Sequence, residues 1–111
     1  MPWLVRDGEV LASVESADSR RDRRRGLRGR DGLDGVLCLR ARSVHTFGMR
    51  FPIDVAVCAP SGRDEVRVLR VMTVARNRVT RPSLRGCVTL EAEAGSFRRW
   101  DLRRGDRLEI R

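Results

Sequence analysis

The chain has no lysine, no tyrosine and no glutamine, and only one asparagine and one histidine. All 24 of its basic side chains are arginine, set against 15 acids for a net charge of +9. So one-sided a composition reads first as the imprint of a base-skewed genome. Its functional reading is attraction to polyanions, because the planar, weakly hydrated guanidinium suits phosphate. Long apolar runs are also missing. No stretch approaches the roughly 20 apolar residues of a membrane span. The opening MPWLVRDGEV is broken by charge and a turn after four residues, which excludes a signal-peptide pattern. Close cysteine pairs are absent. Cys38, Cys58 and Cys87 are widely spaced, odd in number and flanked by aliphatics, so they read as buried thiols rather than zinc ligands. No serine or cysteine sits in a nucleophile-elbow pattern, and no glycine-rich loop leads a strand into a helix. These absences describe a soluble, cytoplasmic protein with no cofactor and no metal.

What is present is β-structure. At 111 residues the chain forms one domain, 1–111, large enough for a core without staples. Trp3–Arg6 and Val10–Glu15 flank Asp7-Gly8, a hairpin signal. Val36–Arg40 is apolar and β-prone, and Val44–Phe47 reads as another strand. Pro52 opens a run in which Ile53, Val55 and Val57 face one way and Asp54, Ala56 and Cys58 the other. Pro60-Ser61-Gly62 reads as a turn. Val66–Val74 changes phase midway, as at a bulge. Cys87–Ala94 alternates again, and Arg107–Ile110 closes the chain. Two short helices are expected, one capped by Ser19 and one over Ser96–Arg103 with Phe97 and Trp100 on one face. Short strands with turn signals about every ten residues mean an all-β fold, a small antiparallel sandwich or barrel-like domain.

Gly26-Leu27, Arg30, Gly35, Pro52-Ile53-Asp54, Gly62, Leu90-Glu91, Gly95 and Gly105-Asp106 follow one another in a recognisable order. That order resembles the bacterial and archaeal family called domain of unknown function 192, over residues 10 to 110. In that family a GLM-x-R segment precedes a glycine-led strand, a WMKNTxIPLD-type segment, an LE-x-x-AG strand and a GD turn. Here the methionine of GLM is Arg28, and the most distinctive family patch falls on His45, Thr46, Phe47, Gly48 and Met49. The resemblance implies a compact, mostly antiparallel β-domain and no particular activity.

Several residues stand out for polar chemistry. His45, Asp54 and Glu91 could serve an acid–base pair or a metal, but their spacing belongs to no local motif. A structural role fits the two acids better. Each lies opposite an aliphatic strand face, and Arg25, Arg28 and Arg30 are the donors expected to hold them. Asp54 in particular is expected to bind an arginine of Arg25–Arg30, or backbone N–H groups of the Gly26–Gly35 loop. From Arg20 to Arg30 the sequence RRDRRRGLRGR holds seven arginines and one aspartate; packed like charges want a counterion. Arg20, Arg21, Arg23 and Arg24 are the candidate polyanion contacts.

The leading functional expectation is a non-catalytic binding or accessory module. Its cleft would lie beside the Gly26–Gly35 loop and the His45–Phe51 segment, and would take a protein or small-molecule partner. An arginine-rich polyanion or nucleic-acid binder is the second reading, with nucleic acid the less favoured partner. A small enzyme using His45, Asp54 and Glu91 is the third.

Overall fold

The computed structural model describes residues 2–17, 27, 30–85 and 88–111. Seven strands form it: β1 (Trp3–Arg6), β2 (Glu9–Ala17), β3 (Val36–Leu39), β4 (Ile53–Gly62), β5 (Glu65–Val74), β6 (Val88–Glu93) and β7 (Arg107–Ile110), with one short helix, α1 (Ser96–Arg99). The strands close into a barrel in the order β1-β2-β3-β6-β4-β5-β7. All neighbours are antiparallel except β2 and β3, which pair in parallel.

Local chemistry explains most of the turns. Asp7 and Gly8 both have positive φ, 51° and 80°, the conformation a two-residue hairpin needs to match strand twist. The β4–β5 turn is at Arg63-Asp64 rather than at Pro60-Ser61-Gly62, because β4 runs on through Gly62 with an irregular register after Pro60. The expected phase change in β5 is present. Val57 pairs with Arg70 and Cys58 with Val68, leaving Leu69 as the extra residue of a bulge. Gly35 has φ 89°, and a Cβ there would lie 2.6 Å from the Ser13 carbonyl oxygen. Only glycine lets β3 begin so close to β2. Val44–Phe47 forms not a full strand but a single bridge, His45 to Val79. The helix expected over Ser96–Arg103 stops at Arg99, and Phe97 and Trp100 do meet, with ring centroids 5.8 Å apart. The helix expected at Ser19 lies outside the described residues.

Alternation along the strands divides the apolar residues between two layers. The barrel lumen is filled from every strand, by Leu4, Val14, Val36, Ala56, Val66, Leu90 and Leu108 among others. A second cluster sits on the outer face of β3, β4 and β5, where Leu37, Leu39, Ile53, Val55, Val57 and Val74 are covered by Leu27, Leu33, Val44 and Met49. Both faces of β4 are therefore buried. That is why this strand lacks the polar-out pattern of a one-sided sheet.

Candidate functional site

Asp54 is 3% exposed and fully employed. Its Oδ1 accepts from the Thr73 hydroxyl at 2.7 Å, and its Oδ2 accepts from the backbone N–H groups of Gly95 and Phe97, each at 3.0 Å. Asp54 points to the lumen side of β4 and ties the β6–α1 turn to the β4–β5 hairpin. Gly95, at φ 97°, permits the turn that aims both N–H groups at the carboxylate. Among the described residues, then, the partners of Asp54 are Thr73 and the turn after β6, and neither Arg30 nor an N–H of residues 30–35 reaches it; Arg25 and Arg28 lie outside the described residues. Asp54 is buried and held by N–H groups as anticipated, but by those of the turn after β6.

Arg30 has a different partner. Its two terminal nitrogens donate to the two carboxylate oxygens of Glu15 at 2.7 and 2.9 Å, a bidentate pair. That contact holds the Glu15 carboxyl below its usual range and raises the Arg30 guanidinium. Arg20, Arg21, Arg23, Arg24, Arg25 and Arg28 lie outside the described residues.

Glu91 contrasts with Asp54. It pairs in register with Leu37 and Val55, on the outer face beneath the apolar cover. It is also 3% exposed, yet its Oε2 has no hydrogen-bond partner. Burial alone pushes its carboxyl up to about 7, since the charged form loses water and gains no counter-charge. Asp54 registers with Ala92 and Thr73, and a one-residue offset turns side chains to opposite sheet faces. The two acids thus look away from each other.

His45 is exposed and stacks on Phe47, with centroids 5.7 Å apart and planes 28° from parallel. In the same segment Val44, Thr46 and Met49 point inward, so His45 looks out from the cover under which Glu91 lies. His45, Asp54 and Glu91 do not converge, and no group of three metal-binding side chains occurs among the described residues. Cys58, its thiol pushed up to about 12 by burial and by nearby Cys38, is chemically quiet. Neither Cys58 nor Cys38 is in a disulfide. Cys87 lies outside the described residues.

The described residues line at least two concavities. One, of about 330 Å³, opens at the end of the barrel between Ser16, Cys38, Arg40, Glu65, Val66 and Ile110. A second, of about 530 Å³, lies beside Asp54, Thr73, Phe97, Arg98 and Asp101. Neither is bordered by the Gly26–Gly35 loop or the His45–Phe51 segment. Those two stretches are linked by an Arg50–Asp31 ion pair.

Sequence reasoning missed three supports. Thr46, wholly buried, donates to the Ala75 carbonyl at 2.6 Å and accepts from the Arg78 N–H at 2.9 Å. Thr80 does similar work, accepting from the Val44 N–H at 2.9 Å. Arg6 reaches Asp106 at 3.1 Å and also donates to the Trp100 carbonyl, pinning the last turn to β1. Only the Gly105-Asp106 step of these had a signal in the sequence.

The matching family profile spans residues 3–110 and is that of DUF192, "Uncharacterized ACR". The chain belongs to the DUF192 family. No curated protein shows significant sequence similarity to it. Among solved structures, this DUF192 domain is similar to a protein of unknown function from Novosphingobium aromaticivorans. The two share 15% identity and a TM-score of 0.77 over 97% of this chain and 82% of the other. It is equally similar in shape to a candidate transcription regulator from Sinorhizobium meliloti, at 22% identity and a TM-score of 0.77 over 98% of this chain and 91% of that one. At such identities the likeness is one of fold. No helix among the described residues is long and apolar enough to cross a membrane.

Proposed function

We propose that this DUF192 domain is a non-catalytic binding module whose ligand enters the open end of the barrel. The observation that carries the reading is the concavity of about 330 Å³ there. Small-molecule sites favour the mouths of β-barrels and begin at about this size. Its walls combine apolar Leu39, Val66, Val88 and Ile110 with Arg40, Asp64 and Glu65, so it suits a small molecule with an apolar body and polar ends. The separation of His45, Asp54 and Glu91 argues against the enzyme reading. Asp54, with every hydrogen bond directed at the fold, is a structural carboxylate.

Ser16 is exposed and borders the mouth, so Ser16→Trp fills the opening without entering the core. A panel of small metabolites screened by saturation-transfer NMR should yield binders to the wild type that Ser16→Trp no longer binds. Equal binding by both proteins would remove the mouth as the site. The second reading, a polyanion binder through Arg20, Arg21, Arg23 and Arg24, rests on the charge density of that run.

A further inference from the structure

The cover over the outer face carries a surface built from residues that neither line the barrel mouth nor belong to the Arg20–Arg30 run in sequence. Residues 42–46 and 78–83 lie antiparallel. Thr46 N–H donates to the Arg78 carbonyl at 2.8 Å, Thr80 N–H to Val44 at 2.9 Å and Ser83 N–H to Arg42 at 2.7 Å, with His45 bridged to Val79. Alternation along this ribbon sends Val44, Thr46 and Thr80 inward and leaves His45, Phe47 and Val79 outward. Phe47 is 51% exposed and Val79 65%. An aromatic stack and a valine presented together to water form an apolar patch that nothing in the fold requires.

The ribbon's own charge has one sign, and the acid paired into the adjoining segment, Asp31, is taken up by Arg50. Neither 40–53 nor 66–90 contains an aspartate or glutamate, and the ribbon is built from these two stretches. Arg42, Arg70, Arg76, Arg78 and Arg81 are all exposed there. The ion pairs formed among the described residues engage other arginines: Arg6, Arg30, Arg50, Arg103 and Arg111. Arg70 donates to the Arg81 carbonyl and Arg78 to the Asn77 carbonyl. These bonds orient the two guanidinium groups beside the ribbon and leave their charge uncompensated.

We propose that this ribbon is a docking surface for single-stranded nucleic acid, with Phe47 and His45 as the stacking platform and Arg42, Arg70, Arg76, Arg78 and Arg81 tracking the phosphates. Unpaired bases offer flat apolar faces to stack on exposed rings, and their backbone supplies the anions the arginines lack. Together these are the two components of sequence-tolerant single-strand binding. A duplex hides its base faces and would leave the rings unused. An acidic protein would match the charge but not the stack.

Fluorescence anisotropy tests this with labelled oligothymidylate and oligouridylate of about 15 nucleotides, and with a duplex of the same length. The titrations run from about 50 to 200 mM salt. Either single strand should bind more tightly than the duplex. Phe47→Ala, at an exposed position and so not needed for folding, should weaken single-strand binding about tenfold or more while leaving the salt slope unchanged. Arg78→Gln with Arg81→Gln should flatten that slope by about 0.7 for each phosphate no longer neutralised. Duplex binding as tight as single-strand binding, or a Phe47→Ala protein of wild-type affinity, would overturn the proposal. So would loss of binding in Arg21, Arg23 and Arg24→Gln with none in the ribbon variants, which would move the polyanion site to the arginine run.

Discussion

Asp54 and Glu91 are equally buried acids on adjacent strands, and the sheet between them makes them opposites. On the lumen side, Asp54 meets one hydroxyl and two N–H groups. On the covered side, Glu91 meets leucine and valine, and one oxygen meets no donor. Equal burial thus says little about an acid's energetic role; what decides it is whether the fold brings donors. Asp54 organises a turn and stabilises the protein. Glu91 is a cost the protein carries, and its protonation state follows pH.

The largest effect should come from breaking the satisfied side. Asp54→Ala strands two backbone N–H groups, and hydrogen bonds to a charged group are each worth about 1.5–3 kcal/mol. We expect a loss of about 3 kcal/mol or more, a fall in melting temperature on the order of 10 °C, and exchange of the Gly95 and Phe97 amides with solvent before the strands open. Asp54→Asn should recover part of the loss. A melting temperature unchanged in Asp54→Ala would erase the contrast between the two acids.

Glu91 sharpens the comparison through pH. Its carboxyl rises from 4.5 to about 7 in the folded protein, so between those values the folded chain binds more protons than the unfolded one. Stability should therefore fall as pH rises from about 4.5 to about 7 and be level above. Glu91→Gln should abolish that slope and gain on the wild type by up to about 3 kcal/mol at pH 8, at 1.36 kcal/mol per unit. Urea unfolding at a series of pH values reads it directly. Parallel pH profiles for the two proteins would show that Glu91 finds a counter-charge.

The smallest effect belongs to a third acid at the surface. Glu15 is bidentate to Arg30 but half-exposed, so Glu15→Gln should cost under about 1 kcal/mol. Because the pairing lowers the Glu15 carboxyl, that small contribution is present above its ordinary range and disappears as pH falls through the lowered value. Added salt should shrink it further.

The barrel itself was legible because its signals are local. Alternation over Ile53–Cys58 and Cys87–Ala94 marked strands, Asp7-Gly8 marked a hairpin, and the switch of period around Leu69 marked a bulge. Closure through the parallel β2–β3 pair was not legible, since it depends on how residues far apart in sequence meet. The site was read less well for the same reason. That Asp54 and Glu91 lie on strands, opposite an aliphatic face, followed from the alternation around them; that both are buried came from the second layer of the fold. Which donors each would meet depended on strand order, which sets β6 beside β4 and delivers Gly95 and Phe97 to Asp54. The stack of His45 on Phe47 was within reach of the i, i+2 spacing, but only the inward anchoring of Thr46 by Ala75 and Arg78 turns both rings outward.

Closure of the ladder also restricts how this domain can meet others. β1 pairs with β7 as well as with β2, and Trp3 and Arg111 exchange backbone hydrogen bonds at 2.6 and 2.9 Å. Every strand of the circle has a neighbour on both sides, which leaves only short stretches of edge where a peptide could add a strand. Recognition at the barrel wall then falls mainly to side chains, and swapping a strand between two copies would first require breaking a ladder already closed in each.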